Sequence, residues 1–393
     1  MKKTRLLMLL VSVCVVLVLA ACAAPAPAPA TTYTSPDRGE DVTSTSPDRG
    51  EDATYTSPDR EDDVHIQAPT PAPSPEAEVF KFKFVDYIER GTAGFDSTQQ
   101  WLDDLKVASR GALDFEHYGA GEIVSAFESF DAVSSGMAEG GILTGGYDTG
   151  KDIGFGYASG TPAFIMPNRD HFLTMMYHYG GFDILQEAWH SFNLHSTGLG
   201  VASGISVMMT TFPATTLADF EGKIIRCWGA DLETLIEVGI SATFIPMGEV
   251  YGSLEKGVVD GVIMGGPGFQ ADFSHEEVTG YYLTNEINTT AGSDVRFNLD
   301  AWNSLPEDLQ MLITIASGEL ASRGYHQQYM LDGQALKKFK EAGITFVTLL
   351  PEEVDKLREA SLSVSEKNDA ESGLHAALTK IMKDYMRDNG WLD

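Results

Sequence analysis

Val79-Phe80-Lys81-Phe82-Lys83-Phe84-Val85 sets three phenylalanines at every second position with lysines between them. That is the period of a β-strand with one apolar face. A helical stretch follows, with Trp101, Leu105 and Ala108 on one side, and then a second alternating run, Leu113-Asp114-Phe115-Glu116-His117. Strand, helix, strand predicts a β-α-β unit and a largely parallel sheet. The pattern restarts near Gly204. Ile205–Met209 reads as a strand, Thr216–Phe220 as a short helical turn closed by Gly222, and Lys223–Arg226 as a strand. A helix (Asp231–Val238), a strand (Thr243–Ile245), a helix (Glu249–Lys256, stopped by Gly257) and a strand (Val259–Met264) complete the second unit. The fold class is therefore α/β, with two units and a cleft between them. Ligands bind in such crevices, at the carboxyl ends of strands. Near the end, Leu374, Leu378, Ile381, Met382 and Tyr385 form an apolar helical stripe.

The chain has 393 residues, 43% of them hydrophobic, enough for two compact domains. Its 57 acidic and 27 basic residues give a net charge of -30. Nucleic acid, whose phosphates would be repelled, is excluded as a partner. A small anionic ligand is not, because the field inside a closed cleft is set by its own lining. Of the three cysteines, Cys14 and Cys22 precede the folded part, leaving Cys227 alone within it. A disulfide framework and a cysteine-based zinc site are excluded.

Lys2, Lys3 and Arg5 precede an apolar run from Leu6 to Ala21. The run is short for a membrane span and suits a secretory signal over residues 1–21. It ends in Leu19-Ala20-Ala21-Cys22, which resembles a bacterial lipobox whose Cys22 thiol takes the lipid. An uncleaved anchor helix is the alternative, and either reading puts the folded part outside the cytoplasm, in the periplasm or at the cell surface. Residues 22–78 hold Ala-Pro repeats and then TYTSPDRGEDV, TSTSPDRGEDA and TYTSPDREDDV. Such a composition cannot bury enough surface to offset ordering entropy and reads as a disordered, lipid-anchored stalk. A calcium-binding role for the repeats lacks the turn geometry that a calcium loop needs. Removing the leader (+3) and the stalk (-9) leaves -24 for residues 79–393, so the folded surface is acidic too.

Catalytic and cofactor motifs fail. Gly154-Phe155-Gly156-Tyr157-Ala158-Ser159-Gly160 has its third glycine one place too late for a dinucleotide loop, and Pro162 follows at once. No Walker loop and no Gly-x-Ser-x-Gly elbow is present. His171 with His178, and His190 with His195, lack a recognised metal spacing with a carboxylate and read as surface or packing residues. Met175-Met176 and Met208-Met209 read as core filler.

Thr216-Leu217-Ala218-Asp219-Phe220-Glu221-Gly222-Lys223-Ile224-Ile225-Arg226 resembles a stretch of the solute receptors of TRAP (tripartite ATP-independent periplasmic) transporters. Pro246-Met247-Gly248-Glu249-Val250-Tyr251 through Gly257-Val258-Val259-Asp260-Gly261 resembles the second signature of that family, in order and at suitable separation. Gly121-Glu122-Ile123-Val124 and Phe130–Gly136 extend the similarity over most of residues 79–393. The resemblance implies a periplasmic-binding-protein-like fold with a hinge, closing on a solute in an interdomain cleft. The expected division is 79–203 plus 292–331 for the first domain and 204–291 plus 332–393 for the second.

The family's cleft arginine corresponds to Arg226. Composition alone favours a structural salt bridge for it; the resemblance shifts the reading to a ligand carboxylate, which a guanidinium meets with two parallel bonds. The nearest branch is that for 2-oxo acids and lactate, with a Gly-x-x-Asp-Ala-x-Glu-Trp-x-Gly-Pro pattern. Here the run is Gly257-Val258-Val259-Asp260-Gly261-Val262-Ile263-Met264-Gly265-Gly266-Pro267, with Ile263 at the Glu position and Met264 at the Trp position. Ile263 cannot hold the metal ion which that Glu can, so no bound cation or other cofactor is expected, and the cleft is expected to be more apolar. No arginine stands near Ile205 and Ser206, where sialic-acid receptors have one. Arg226, Trp228, Met247, Met264, Gly265, Tyr147 and Tyr157 are the candidate ligand-binding residues. Tyr147 either bonds the ligand or packs its loop, and Trp228 either stacks on the solute or covers the core. The implied function is capture of a small organic monocarboxylate for a TRAP-type membrane permease. A sensory ligand-binding subunit is the alternative; a secreted enzyme on the same scaffold would need a nucleophile or acid/base pair that the sequence does not offer.

Overall fold

The computed structural model describes residues 78–392; the leader, Cys22 and all of the stalk but Glu78 lie outside the described residues. Among the described residues there are ten strands: β1 (Phe80–Asp86), β2 (Leu113–Tyr118), β3 (Gly140–Leu143), β4 (Leu194–Thr210), β5 (Ile224–Arg226), β6 (Ser241–Thr243), β7 (Gly261–Met264), β8 (Tyr281–Leu283), β9 (Asn288–Asn298) and β10 (Thr345–Val347). They form two sheets that share β4. The first runs β2-β1-β3-β9-β4. The second runs β4-β7-β5-β6, with β8 also on β4 and β10 on β8. The β-α-β expectation holds: β1 pairs β2 in parallel, joined by α1 (Ala93–Ala108). Parallel pairing also links β1 to β3 and β5 to both β6 and β7. The two long strands break the largely parallel pattern, since β4 and β9 are antiparallel to each other and to their neighbours.

The alternation in the opening run does what its period requires. Phe82 and Phe84 are buried against Trp101 and Leu105 of α1 and Leu113 of β2, while Lys81 and Lys83 face solvent. A second apolar layer covers the opposite face of the first sheet. It draws on Val85, Leu143, α2 (Arg169–His178) and α3 (Gly181–His190). In the second lobe, Met208, Ile225 and Ile263 pack with Leu235 of α4 (Gly229–Glu237), and Val207, Val262 and Met264 pack on the other side with Leu254.

Three long elements cross between the lobes. β4 and β9 are paired along most of their length, with register shifts between Ser196 and Ser206. Bulges of this kind bend and twist a strand where it leaves one sheet for another. The third is α5 (Glu307–Glu341), whose 35 residues span about 50 Å. Its Ile313 and Leu320 lie in the first lobe's core and its Phe339 in the second's. After α6 (Pro351–Asp369), the predicted apolar stripe appears as α7 (Gly373–Asp388). Leu374, Leu378, Ile381 and Met382 of α7 pack with Val85, Phe155 and Trp189. The last helix therefore completes the first lobe, not the second, to which the expected division assigned it. Chain order follows the stripe; the partner is chosen by the exposed apolar face left on the first sheet. The strand expected at Thr243–Ile245 lies two residues earlier, at Ser241–Thr243.

Candidate functional site

The turn before β5 is built to deliver Arg226. Asp219 accepts from the backbone N–H groups of Thr215 and Thr216, both at 2.8 Å, closing a capping box around Leu217–Phe220. Those bonds hold the Asp219 carboxyl below its ordinary range. Gly222 then adopts φ +73°, a conformation that a side chain resists, and the chain enters β5. Asp260 ties β5 in place: it accepts from Ile224 N at 3.0 Å and pairs with Lys223 at 3.1 Å. The Asp of the second signature is thus a strand-tying residue, remote in role from any ligand.

Arg226 is 2% exposed. Its Nε donates to Ile245 O at 2.9 Å and one terminal nitrogen to Ile263 O at 3.2 Å. The guanidinium lies 5.5 Å from the Phe244 ring centroid. Among the described residues no acidic side chain is within ion-pair distance of it. Among the described residues it makes none of the salt bridges that composition alone favoured. It lines a cavity of about 60 Å³ together with Tyr87, Tyr147, Trp228, Met247, Met264, Gly265 and Gln328.

Most walls of this cavity come from the carboxyl end of a strand or from a crossing element, with Met247 and Phe269 added from short helices. Tyr87 follows β1, Tyr147 follows β3, Trp228 follows β5 and Gly265 follows β7. Gly204 and Ile205 belong to β4, and Gln328 to α5. The two lobes touch across it. Tyr147 meets Trp228 edge-on at 6.0 Å and Phe244 at 6.4 Å, and Phe127 meets Phe244 at 5.5 Å. Burial raises the Tyr147 phenol, with Arg226 pulling the other way.

Six of the seven candidates, Arg226, Trp228, Met247, Met264, Gly265 and Tyr147, meet at this cavity. Tyr157 does not. It lines a larger chamber, of about 440 Å³, and its hydroxyl is bonded to Thr379 of α7 at 2.9 Å. That chamber adjoins the first, since Tyr147 and Trp228 wall both. It also exposes Asp231, Asn288 and Thr161, which carried no motif in the sequence. Ile263 corrects a further expectation. Its side chain is fully buried in the second lobe's core beside Met208 and Ile225, and only its carbonyl serves Arg226. Met264, one place on, faces the cavity. Strand alternation makes these opposite outcomes obligatory.

The model of the bacterial extracellular solute-binding protein family 7 matches residues 84–371. The chain belongs to this family. It is the TRAP receptor family that the two signatures resemble. One relative is a monocarboxylate 2-oxoacid-binding periplasmic protein of Nostoc, 24% identical over 261 residues, 66% of this chain and 71% of that protein. An ectoine-binding periplasmic protein of Halomonas elongata is 28% identical over 168 residues, 42% of this chain and 49% of that one. Among solved structures, a TRAP periplasmic solute-binding protein of Pseudoalteromonas atlantica with bound sodium and pyruvate has a TM-score of 0.74 at 23% identity, over 80% of this chain and 96% of that one. One from Colwellia psychrerythraea with bound calcium and pyruvate gives the same values. These likenesses establish the two-domain α/β fold. Members of family 7 are solute-binding proteins of the extracytoplasmic space. Met264 brings no charged oxygen, Ile263 points into the core, and no cluster of three His, Cys, Asp or Glu suited to a metal occurs among the described residues.

Proposed function

We propose that this chain is a lipid-anchored extracytoplasmic receptor that captures a small organic monocarboxylate by hinge closure and passes it to a TRAP-type membrane permease. The observation that carries this reading is Arg226: a buried guanidinium, braced by two backbone carbonyls, without an acidic partner among the described residues, and facing a cavity between the lobes. A buried cation without a counter-ion is costly, and a ligand carboxylate removes that cost while adding charge-assisted bonds. The 2-oxoacid-binding relative and the pyruvate-bound neighbours support the same ligand class. Arg226 supplies a positive charge for the carboxylate. Tyr147, Trp228, Met247, Met264 and Gly265 shape the pocket around the acid.

Calorimetry against a panel of 2-oxo acids, lactate and short carboxylates tests this. Arg226→Lys keeps the charge but loses the fork, and is expected to weaken the best ligand by roughly 10- to 100-fold, the equivalent of one or two charge-assisted bonds. Unchanged affinity would refute the anchoring role. Attachment through Cys22 is tested by fatty-acid labelling of cells, which Cys22→Ser should abolish.

A further inference from the structure

The chamber on the far side of Trp228 carries a second, opposite charge. Asp231, in the first turn of α4, is 5% exposed. Its one hydrogen bond among the described residues is from the Asn288 side chain at 3.4 Å, long for such a bond. No Lys, Arg or His pairs with it there. Asn288 is held in place by a shorter bond, 3.1 Å, to Thr161 O. Thr161 is 4% exposed, and its Oγ1 is buried without a hydrogen-bond partner while the residue lines the chamber.

Arg226 and Asp231 therefore stand on either side of one aromatic partition, Trp228 and Tyr147, each buried and each lacking a counter-ion among the described residues. An isolated buried charge is costly, and a single molecule bearing both complementary charges relieves the two sites at once. Desolvation leaves the free Asp231 carboxyl raised to about 7, so it ionises readily once a cation arrives. The aromatic rings of Trp228, Phe244 and Tyr147 border the chamber, and ring faces attract a cation. Glu233, which accepts from Asn368 at 2.8 Å, adds to the negative lining. A second carboxylate on the solute would meet like charge there.

Resting on the receptor reading above, we propose that the solute is zwitterionic: its carboxylate lies on Arg226 and an ammonium or amidinium N–H group reaches through to Asp231, with Asn288 and Thr161 fixing its orientation. The small cavity takes the acid end. The larger chamber takes the nitrogen-bearing end.

The test is calorimetry on the folded chain with matched pairs that differ only in that group and separate it from the acid by a chain able to pass the partition: 4-aminobutyrate against 4-hydroxybutyrate, and 6-aminohexanoate against 6-hydroxyhexanoate, with succinate as a dicarboxylate. Each is measured on the wild type, Asp231→Asn and Arg226→Lys. The expected result is that the amine member of each pair binds at least 10-fold more tightly than its oxygen counterpart. Asp231→Asn should erase that preference while changing the oxygen member less than about 3-fold. Thermal unfolding of Asp231→Asn in the absence of solute shows that it is folded. If the oxygen members or succinate bind as tightly as the amines, and Arg226→Lys weakens them, this inference falls and the carboxylate-receptor reading stands. If Asp231→Asn leaves the amine preference intact, the inference falls as well. If no member binds, both fall.

Discussion

Trp228 of the second lobe rests directly on Gly146 of the first, so closely that a Cβ on Gly146 would overlap Cζ3 of the indole. The glycine is needed for space, since its backbone is not in the left-handed region. This contact sets how near the lobes approach and makes Trp228 the partition between the two cavities.

Gly146→Ala should therefore hold the lobes apart without unfolding either one. We expect solute affinity to drop at least 10-fold with the melting temperature of the unliganded chain nearly unchanged. Small-angle scattering with saturating solute should show a more extended particle than the wild type. Unaltered affinity would mean that the ring simply swings aside.

Tyr147 offers a hydroxyl with no hydrogen-bond partner among the described residues, while its ring is packed against Tyr87, Phe127 and Trp228. Tyr147→Phe keeps the ring. A lost bond to the solute should weaken binding by about 5- to 10-fold, near 1 kcal/mol. No change in calorimetry would assign Tyr147 to packing alone.

Asp231 makes stability depend on pH. Its carboxyl is raised from 3.8 to about 7 by burial, so between those values the folded state holds a proton that the unfolded state has released. That contribution is full below about pH 4 and is lost as pH rises through 7. It is worth on the order of 2–4 kcal/mol, because each tenfold difference in proton affinity between the folded and unfolded chain corresponds to roughly 1.4 kcal/mol. Cys227, close to Asp231, is pushed far up by burial and stays a neutral thiol throughout. Glu233 and His375 also line the chamber, and both are present in the two proteins compared, so they drop out of the difference. Urea unfolding at pH 5 and pH 8 should show a larger loss for the wild type than for Asp231→Asn; parallel losses would contradict the assignment.

Arg296 is a structural counterpart of Arg226. It is fully buried on β9, bonded to Asp294 at 2.6 and 2.7 Å and also to Asp148. Burial raises Asp148 to about 6 despite that partner. Arg296→Met leaves two buried acids facing each other and should cost about 3–5 kcal/mol of stability by urea unfolding. Adding Asp148→Asn should recover part of it.

Chain chemistry over short range was enough to specify the elements and the local geometry of the arginine. Alternation in Val79–Val85, the capping turn from Thr216 and the helix-stopping glycines depend on neighbours within a few residues, and they form where expected. The arginine's position at the end of β5 was legible for the same reason. What it bonds was not, because Ile245 and Ile263 reach it only after three strands align. The crossing strand is a product of long-range packing: Ile205–Met209 reads as a short strand, yet β4 runs from Leu194 to Thr210 through Gly198, Gly200 and Gly204, which interrupt any apolar period. Long-range packing also places α7 over the first lobe, turns Ile263 inward, and sets Asp231 across a partition from Arg226. Each of these depends on which distant apolar face is left uncovered, and periodicity along the chain carries no record of that.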